Sequence, residues 1–186
     1  RIAAPDWGAQ SWFGDPAKSG GMVVDLHIHD TDFIIHLFGK PGAVSSHGLV
    51  RGGRVDFLRT VYRYCAKGAP LLSSEAGWIN APDLAFAHGY DAYFEEATCH
   101  FDSARSPEPV LHEKQGRRVL SLEERDAFRD EIQAAVDAVR SGKVPCRLSA
   151  ESAAVSIEVC RAEEKAARLP AMLTVPVLSI TGWPSR

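Results

Sequence analysis

The stretch GGMVVDLHIHDTDFIIHLFGKP, Gly20 to Pro41, sets three Asp and three His into an otherwise apolar run, and its period decides the fold. As a strand, VDLHIHD would send His27 and His29 to one side, a pattern suited to a metal ion. As a helix, it would stack Asp25 against His29 one turn later. Three features favour the helix. Residues 22–38 outrun the usual 3–10 residues of a strand. Gly39 follows Phe38, and Pro41 comes two residues on, the C-terminal punctuation of a helix. At about 100° per residue, Asp25, His29, Asp32 and His36 share an arc of roughly 60°, beside an apolar arc of Met22, Leu26, Phe33 and Leu37.

A helix that is apolar nearly all round is buried, and burying ionisable groups costs several kcal/mol each unless they are paired or used. Asp25 and His29 therefore read either as a structural i,i+4 pair or as chemistry. The strand reading resembles the HxH strand of amidohydrolase barrels, which would make the chain a metal-dependent hydrolase using His27 and His29. Such a barrel needs about 200–250 residues. This chain alternates strands and helices too little, and His47, His88, His100 and His112 offer no second metal cluster. No metal is expected.

Composition bounds the remaining classes. The 186 residues are 45% apolar and 24% charged, as in an ordinary soluble domain. A net charge of −3 supplies no basic field for nucleic acid or an acidic membrane surface. No apolar run reaches the roughly 18 residues of a membrane span. Cys65, Cys99, Cys146 and Cys160 are far apart, without a CxxC pair, and read as small buried residues of a reducing, cytoplasmic compartment. There is no signal peptide, and the start at Arg1 with an aromatic, Pro- and Gly-rich lead reads as the middle of a longer protein.

Working outward, residues 1–19 form a lead-in loop and residues 20–38 the helix. Between 43 and 120, AVSSHGLV, VDFLRTVYRYCAKG, LLSSEAGWI and LAFAHGYDAYFEEATCHF read as strands, and PVLHEKQGRRVL as a hairpin turning near Gln115-Gly116. At Ser121 the period changes: Ser121 to Glu124 suggests a capping box, and Phe128, Ile132, Ala135, Val136 and Val139 form a helical stripe that Gly142 and Pro145 end. Ser149 opens a second helix, completing a pair over 121–168, and residues 172–177 give a last strand at the edge because of Pro176. Consecutive strands followed by helices imply a single α+β domain: an open, mixed, mostly antiparallel sheet with helices on one face. Tyr62, Tyr64, Trp78, Tyr90 and Phe94 suggest that the other face is a subunit contact, with some of these rings filling the helix-side core instead.

With these elements in place, SGGMVVDLHIHDTDFIIHLFGKP resembles the GG-x3-D-x3-H-x2-D helix of the Gfo/Idh/MocA oxidoreductases (glucose–fructose oxidoreductase, inositol dehydrogenase and relatives). FRDEIQAAVDAVRSGKVPCRLSAESAAVSIEVCRAEEKAA is similar to that family's closing helix pair. The resemblance runs from about Trp12 to Val177. It implies the C-terminal substrate-binding and oligomerisation domain of a two-domain enzyme whose Rossmann half, on the order of 100–150 residues, is missing from the N-terminal side. It further implies NAD or NADP held mainly by that absent half, a sugar, polyol or related hydroxy/keto substrate, and a homo-oligomer assembled through the sheet face. By position, Asp25 and His29 match the family's catalytic Asp and His. A His with an ordinary pKa near 6.5 suits transfer of a hydroxyl proton near neutral pH.

Further site candidates are Gly20 and Gly21, where the helix start lets a ligand approach, Trp12 and Lys18 on the lead-in loop, and Asp32. His27 stands where the family usually has a small residue and points away from His29, so it reads as packing or as substrate contact. No GxGxxG follows a strand, so this chain alone is expected to be inactive. The alternative within the same resemblance is a catalytically inactive ligand-binding or assembly homologue.

Overall fold

The computed structural model describes residues 12, 15–78, 85–123, 125–169 and 174–177. They form an α+β domain in which every described strand pair is antiparallel. In chain order there is a short helix α1 (Pro16–Ser19), a π turn (Val23–His27) that runs directly into α2 (Ile28–Phe38), then β1 (Ala43–Arg51), β2 (Arg54–Arg63) and β3 (Leu72–Gly77). Next come β4 (Gly89–Tyr93), β5 (Ala97–Asp102), β6 (Val110–Glu113) and β7 (Gly116–Val119). The chain closes with α3 (Ala127–Ser141), a 3-10 turn (Cys146–Leu148), α4 (Ala150–Ala167) and β8 (Thr174–Pro176).

The strands divide into two four-stranded sheets, ordered β3-β2-β1-β8 and β4-β5-β6-β7. Arg51 pairs with Arg54 around Gly52-Gly53, whose φ angles of 54° and 78° suit the tight turn of a hairpin. Glu113 pairs with Gly116, which puts the β6–β7 turn where the sequence placed it. β8 lies at an edge, as a strand containing Pro must.

The first sheet carries the helical layer. Strand alternation points Val44 and Ser46 of β1, and Leu58, Thr60 and Tyr62 of β2, toward α2 and α4, and all five are buried. Met22, Val23 and Leu26 pack there with Val55, Leu58, Ala76, Cys160 and Ala167. Val44, Tyr62 and Val159 make a second cluster. Burying each large apolar side chain stabilises by about 1.5–3 kcal/mol. α4 starts at Ser149, whose Oγ accepts from the Ser152 N–H at 3.2 Å, as expected of an N-cap.

Several expectations are corrected. Tyr62 lies in the helix-side core at 2% exposure, because it shares the strand face of Leu58 and Thr60; Tyr64 and Trp78 also pack against the two core clusters. Of the five aromatics assigned to an outer face, Tyr90 and Phe94 are exposed, and Tyr90 lies in the second sheet. α3 starts six residues later than Ser121, because Asp126 caps it, its Oδ1 accepting from the N–H groups of Phe128 and Arg129. The stripe of α3 faces solvent, with Phe128 78%, Ile132 66% and Val139 85% exposed. Two thiols, Cys65 and Cys146, are also exposed, while Cys99 and Cys160 are buried. Among the described residues no helix is long and apolar enough to cross a membrane.

Candidate active site

The lead into the helix is set by two glycines. Gly20 ends α1 in the left-handed region at φ 85°, its N–H donating to the Pro16 carbonyl at 3.0 Å, and Gly21 follows at φ 77°. A Cβ on Gly20 would stand 3.1 Å from Val24 Cβ, so the residue is required both by its torsion and by the close approach of the next turn. The chain then winds through the π turn, which buries Val23, Leu26 and His27, before α2 takes up ordinary α geometry at Ile28. The segment is a helix, not a strand. The strand pattern that a metal reading needs is absent, and uniform α spacing is broken by the widened turn.

Asp25 and His29 sit on either side of the π–α junction. Burial raises the Asp25 carboxyl above its ordinary range, and the His29 imidazole beside it pulls in the opposite direction. Asp25 Oδ2 is buried and has no hydrogen-bond partner among the described residues. His29 is exposed. The arrangement is an accessible imidazole backed by a partly desolvated carboxyl, where charges interact more strongly than in open water.

His27 is placed differently. Its ring is fully buried, with Nε2 3.3 Å from Glu163 Oε1 and 3.4 Å from Ser74 Oγ. Its Nδ1 approaches Asp30 Oδ2 at 3.4 Å, though neither atom makes a hydrogen bond. Burial works against the imidazolium, but Glu163 and Asp30 outweigh it and push the pKa up to about 9. Glu163 is also fully buried, and its Oε2 accepts from the Thr31 hydroxyl at 3.1 Å. Tyr62 Oη bonds Ser74 Oγ at 2.7 Å and lies 3.5 Å from Thr31 Oγ1, which closes the network onto the sheet. Glu163 was missed in the sequence, although a signal was there: Val155, Val159, Cys160, Ala166 and Ala167 mark the buried stripe of α4, and Glu163 falls within it.

The other candidates scatter. Asp32 accepts from the Ser156 hydroxyl at 2.6 Å, which ties α2 to α4. Lys18 pairs with Asp15 at 3.6 Å, and Trp12 is exposed on the lead-in. Gly20 and Gly21 line a cavity of about 250 Å³, closed by Val23, Arg54, Trp78 and Arg168, to which neither Asp25 nor His29 contributes. Among the described residues, no group of three or more His, Cys, Asp or Glu could hold a metal ion.

Against this geometry, the sequence description of the GFO/IDH/MocA C-terminal domain matches residues 2–78. That match covers less than half of the 186 residues and marks a likeness to this domain. Solved structures agree at the level of fold. UDP-N-acetylglucosamine 3-dehydrogenase GnnA from Acidithiobacillus ferrooxidans superposes with a TM-score of 0.69 at 15% identity, over 89% of this chain and 51% of its own. Levoglucosan dehydrogenase in complex with NADH and levoglucosan gives 0.74 at 18% identity, over 96% and 57%. A protein from Desulfitobacterium hafniense described as an NADPH-dependent oxidoreductase gives 0.76 at 17% identity, over 97% and 56%. The chain thus spans little more than half the length of each. No curated protein matches it.

Proposed function

We propose that this GFO/IDH/MocA-type domain is the substrate half of an NAD(P)-dependent oxidoreductase acting on a hydroxyl or keto group of a sugar, polyol or related compound. His29 accepts or returns the hydroxyl proton, and Asp25 assists it. The observation that carries the reading is a partly buried Asp25, its Oδ2 unpartnered among the described residues, four residues before an exposed His29. The described residues offer no Gly-rich loop between strand and helix to cradle a dinucleotide. The nicotinamide, which would exchange hydride with the substrate, therefore belongs to another domain of a longer parent.

On this chain the chemistry is a proton transfer. A neutral His29 removes the O–H proton of a bound alcohol, and Asp25 behind it stabilises the imidazolium that forms. The parent is read as a cytoplasmic homo-oligomer. Exposed Leu49 and Val50 of the first sheet and Tyr93 and Phe94 beside the second are the surface available for self-association.

The test is His29→Ala in the parent enzyme, with NAD or NADP and a panel of sugars and polyols. The expected result is a fall in kcat of about 10²–10⁴-fold with little change in cofactor affinity. An unchanged kcat would take His29 out of the chemistry.

A further inference from the structure

We propose that Glu163 and His27 are positioning residues that hold the π turn and, through it, the alignment of Asp25 with His29; this rests on the reading of Asp25 and His29 as the reactive pair. A π turn carries i→i+5 bonding, is rare, and lasts only where its surroundings impose it. Nothing local imposes this one: Val23-Val24-Asp25-Leu26-His27 contains no Gly or Pro, and two β-branched residues do not select a wide turn. The apolar contacts of Val23 and Leu26 bury the turn but are not directional.

The directional contacts nearest the turn converge on His27 and Thr31. Glu163 grips both sides of the junction at Ile28, with Oε1 on His27 at 3.3 Å and Oε2 on Thr31 at 3.1 Å. One carboxylate on α4 thus spans the last residue of the π turn and the α-helical residue one turn beyond. Ser74 of β3 reaches the same His27 nitrogen, and Tyr62 of β2 bonds Ser74, so the sheet braces the clamp from below. Asp25 precedes His27 by two residues and His29 follows it by two. Relaxing i→i+5 to i→i+4 bonding would change the angle between Asp25 and His29 by several tens of degrees. A buried ion pair is a weak source of stability and a better source of geometry.

The experiment reads the coupling rather than turnover. In the 186-residue chain, the Asp25 carboxyl is titrated by ¹³C NMR with His29 present and with His29→Gln. Removing the imidazole raises the Asp25 pKa, because His29 lowers it. The proposal expects this increment to shrink by about half or more in a Glu163→Gln background, since the interaction weakens as the groups separate. An increment unchanged in Glu163→Gln, even with a lowered Tm, means the pair is only structural and overturns the proposal. If Glu163→Gln does not fold, Thr31→Val removes one arm of the clamp and is judged by the same criterion. No turnover is measured, so an inert His29 in the parent would refute the function while leaving this coupling to stand or fall by itself.

Discussion

His27 and Glu163 are 136 residues apart in sequence and 3.3 Å apart in space, and neither has any exposed side-chain surface. Helix α4 returns after two sheets to close over the π turn, and the ion pair is where the return is fixed. The most direct consequences concern stability.

The His27 pKa is raised from 6.5 in the unfolded chain to about 9 in the fold. A raised folded-state value means the contribution is fully present below pH 6.5 and is lost as pH rises through about 9. We expect urea denaturation midpoints to fall across that window by the equivalent of a few kcal/mol, and His27→Gln to flatten the decline. A wild-type midpoint constant between those limits would count against the pair being charged.

Truncating one partner strands the other. Glu163→Ala should cost about 3–5 kcal/mol in chemical denaturation, because it leaves a buried imidazolium unpaired. The double variant His27→Leu/Glu163→Met should recover most of that loss, since a packed apolar pair replaces two desolvated charges. If the double variant is as unstable as Glu163→Ala, packing and not charge governs the site.

Asp25 shifts stability with pH in the same direction, but through burial of its charged form rather than through a partner. Its carboxyl is raised by burial, so near neutral pH the ionised form costs stability, and that cost sets in as pH rises above the unfolded-state value. Asp25→Asn should raise Tm slightly while lowering kcat of the parent by about 10-fold or more. A variant that loses stability would mean that Asp25 is structural.

Gly20 and Gly52 both have positive φ, 85° and 54°, but a Cβ on Gly20 meets Val24 whereas one on Gly52 meets nothing within 4 Å. Gly52→Ala should cost about 1–2 kcal/mol from its torsion alone, and Gly20→Ala more than that. Equal costs in denaturant titrations would show that the helix start gives way easily.

The α3 stripe provides the contrast. Phe128→Ser and Ile132→Ser should change stability by no more than about 0.5 kcal/mol, because both side chains face water. Val159→Ala, at 0% exposure, should cost about 2 kcal/mol or more. A large loss at Phe128 would reveal a packing partner for α3.

Period and punctuation carried much of this fold in the sequence. The helix at 20–38 was readable from its length and its Gly39–Pro41 stop, and the β6–β7 hairpin and the Ser149 cap from local turn and cap chemistry. Those features depend on neighbours in the chain. What was not legible depended on distant partners. The π turn has no local signature, so arithmetic at 100° per residue could not find it. The face of Tyr62 stayed open in the sequence, because composition shows that a strand is aromatic but not which side it buries. His27 read in the sequence either as packing or as substrate contact, and the carboxylate that faces it, on α4, is 136 residues away. Ser121 lost to Asp126 because two caps compete within six residues and only one meets the helix.

The π turn also changes what counts as a small edit to this gene product. A turn of this kind is an α-turn holding one surplus residue, so a single deletion between Val23 and His27 is the shortest route to a straight rod. Such a deletion would leave composition and hydropathy almost untouched and keep the flanking turns in phase, but the residues inside the turn would face new directions. In this segment, then, the spacing between residues is inherited information as much as their identities.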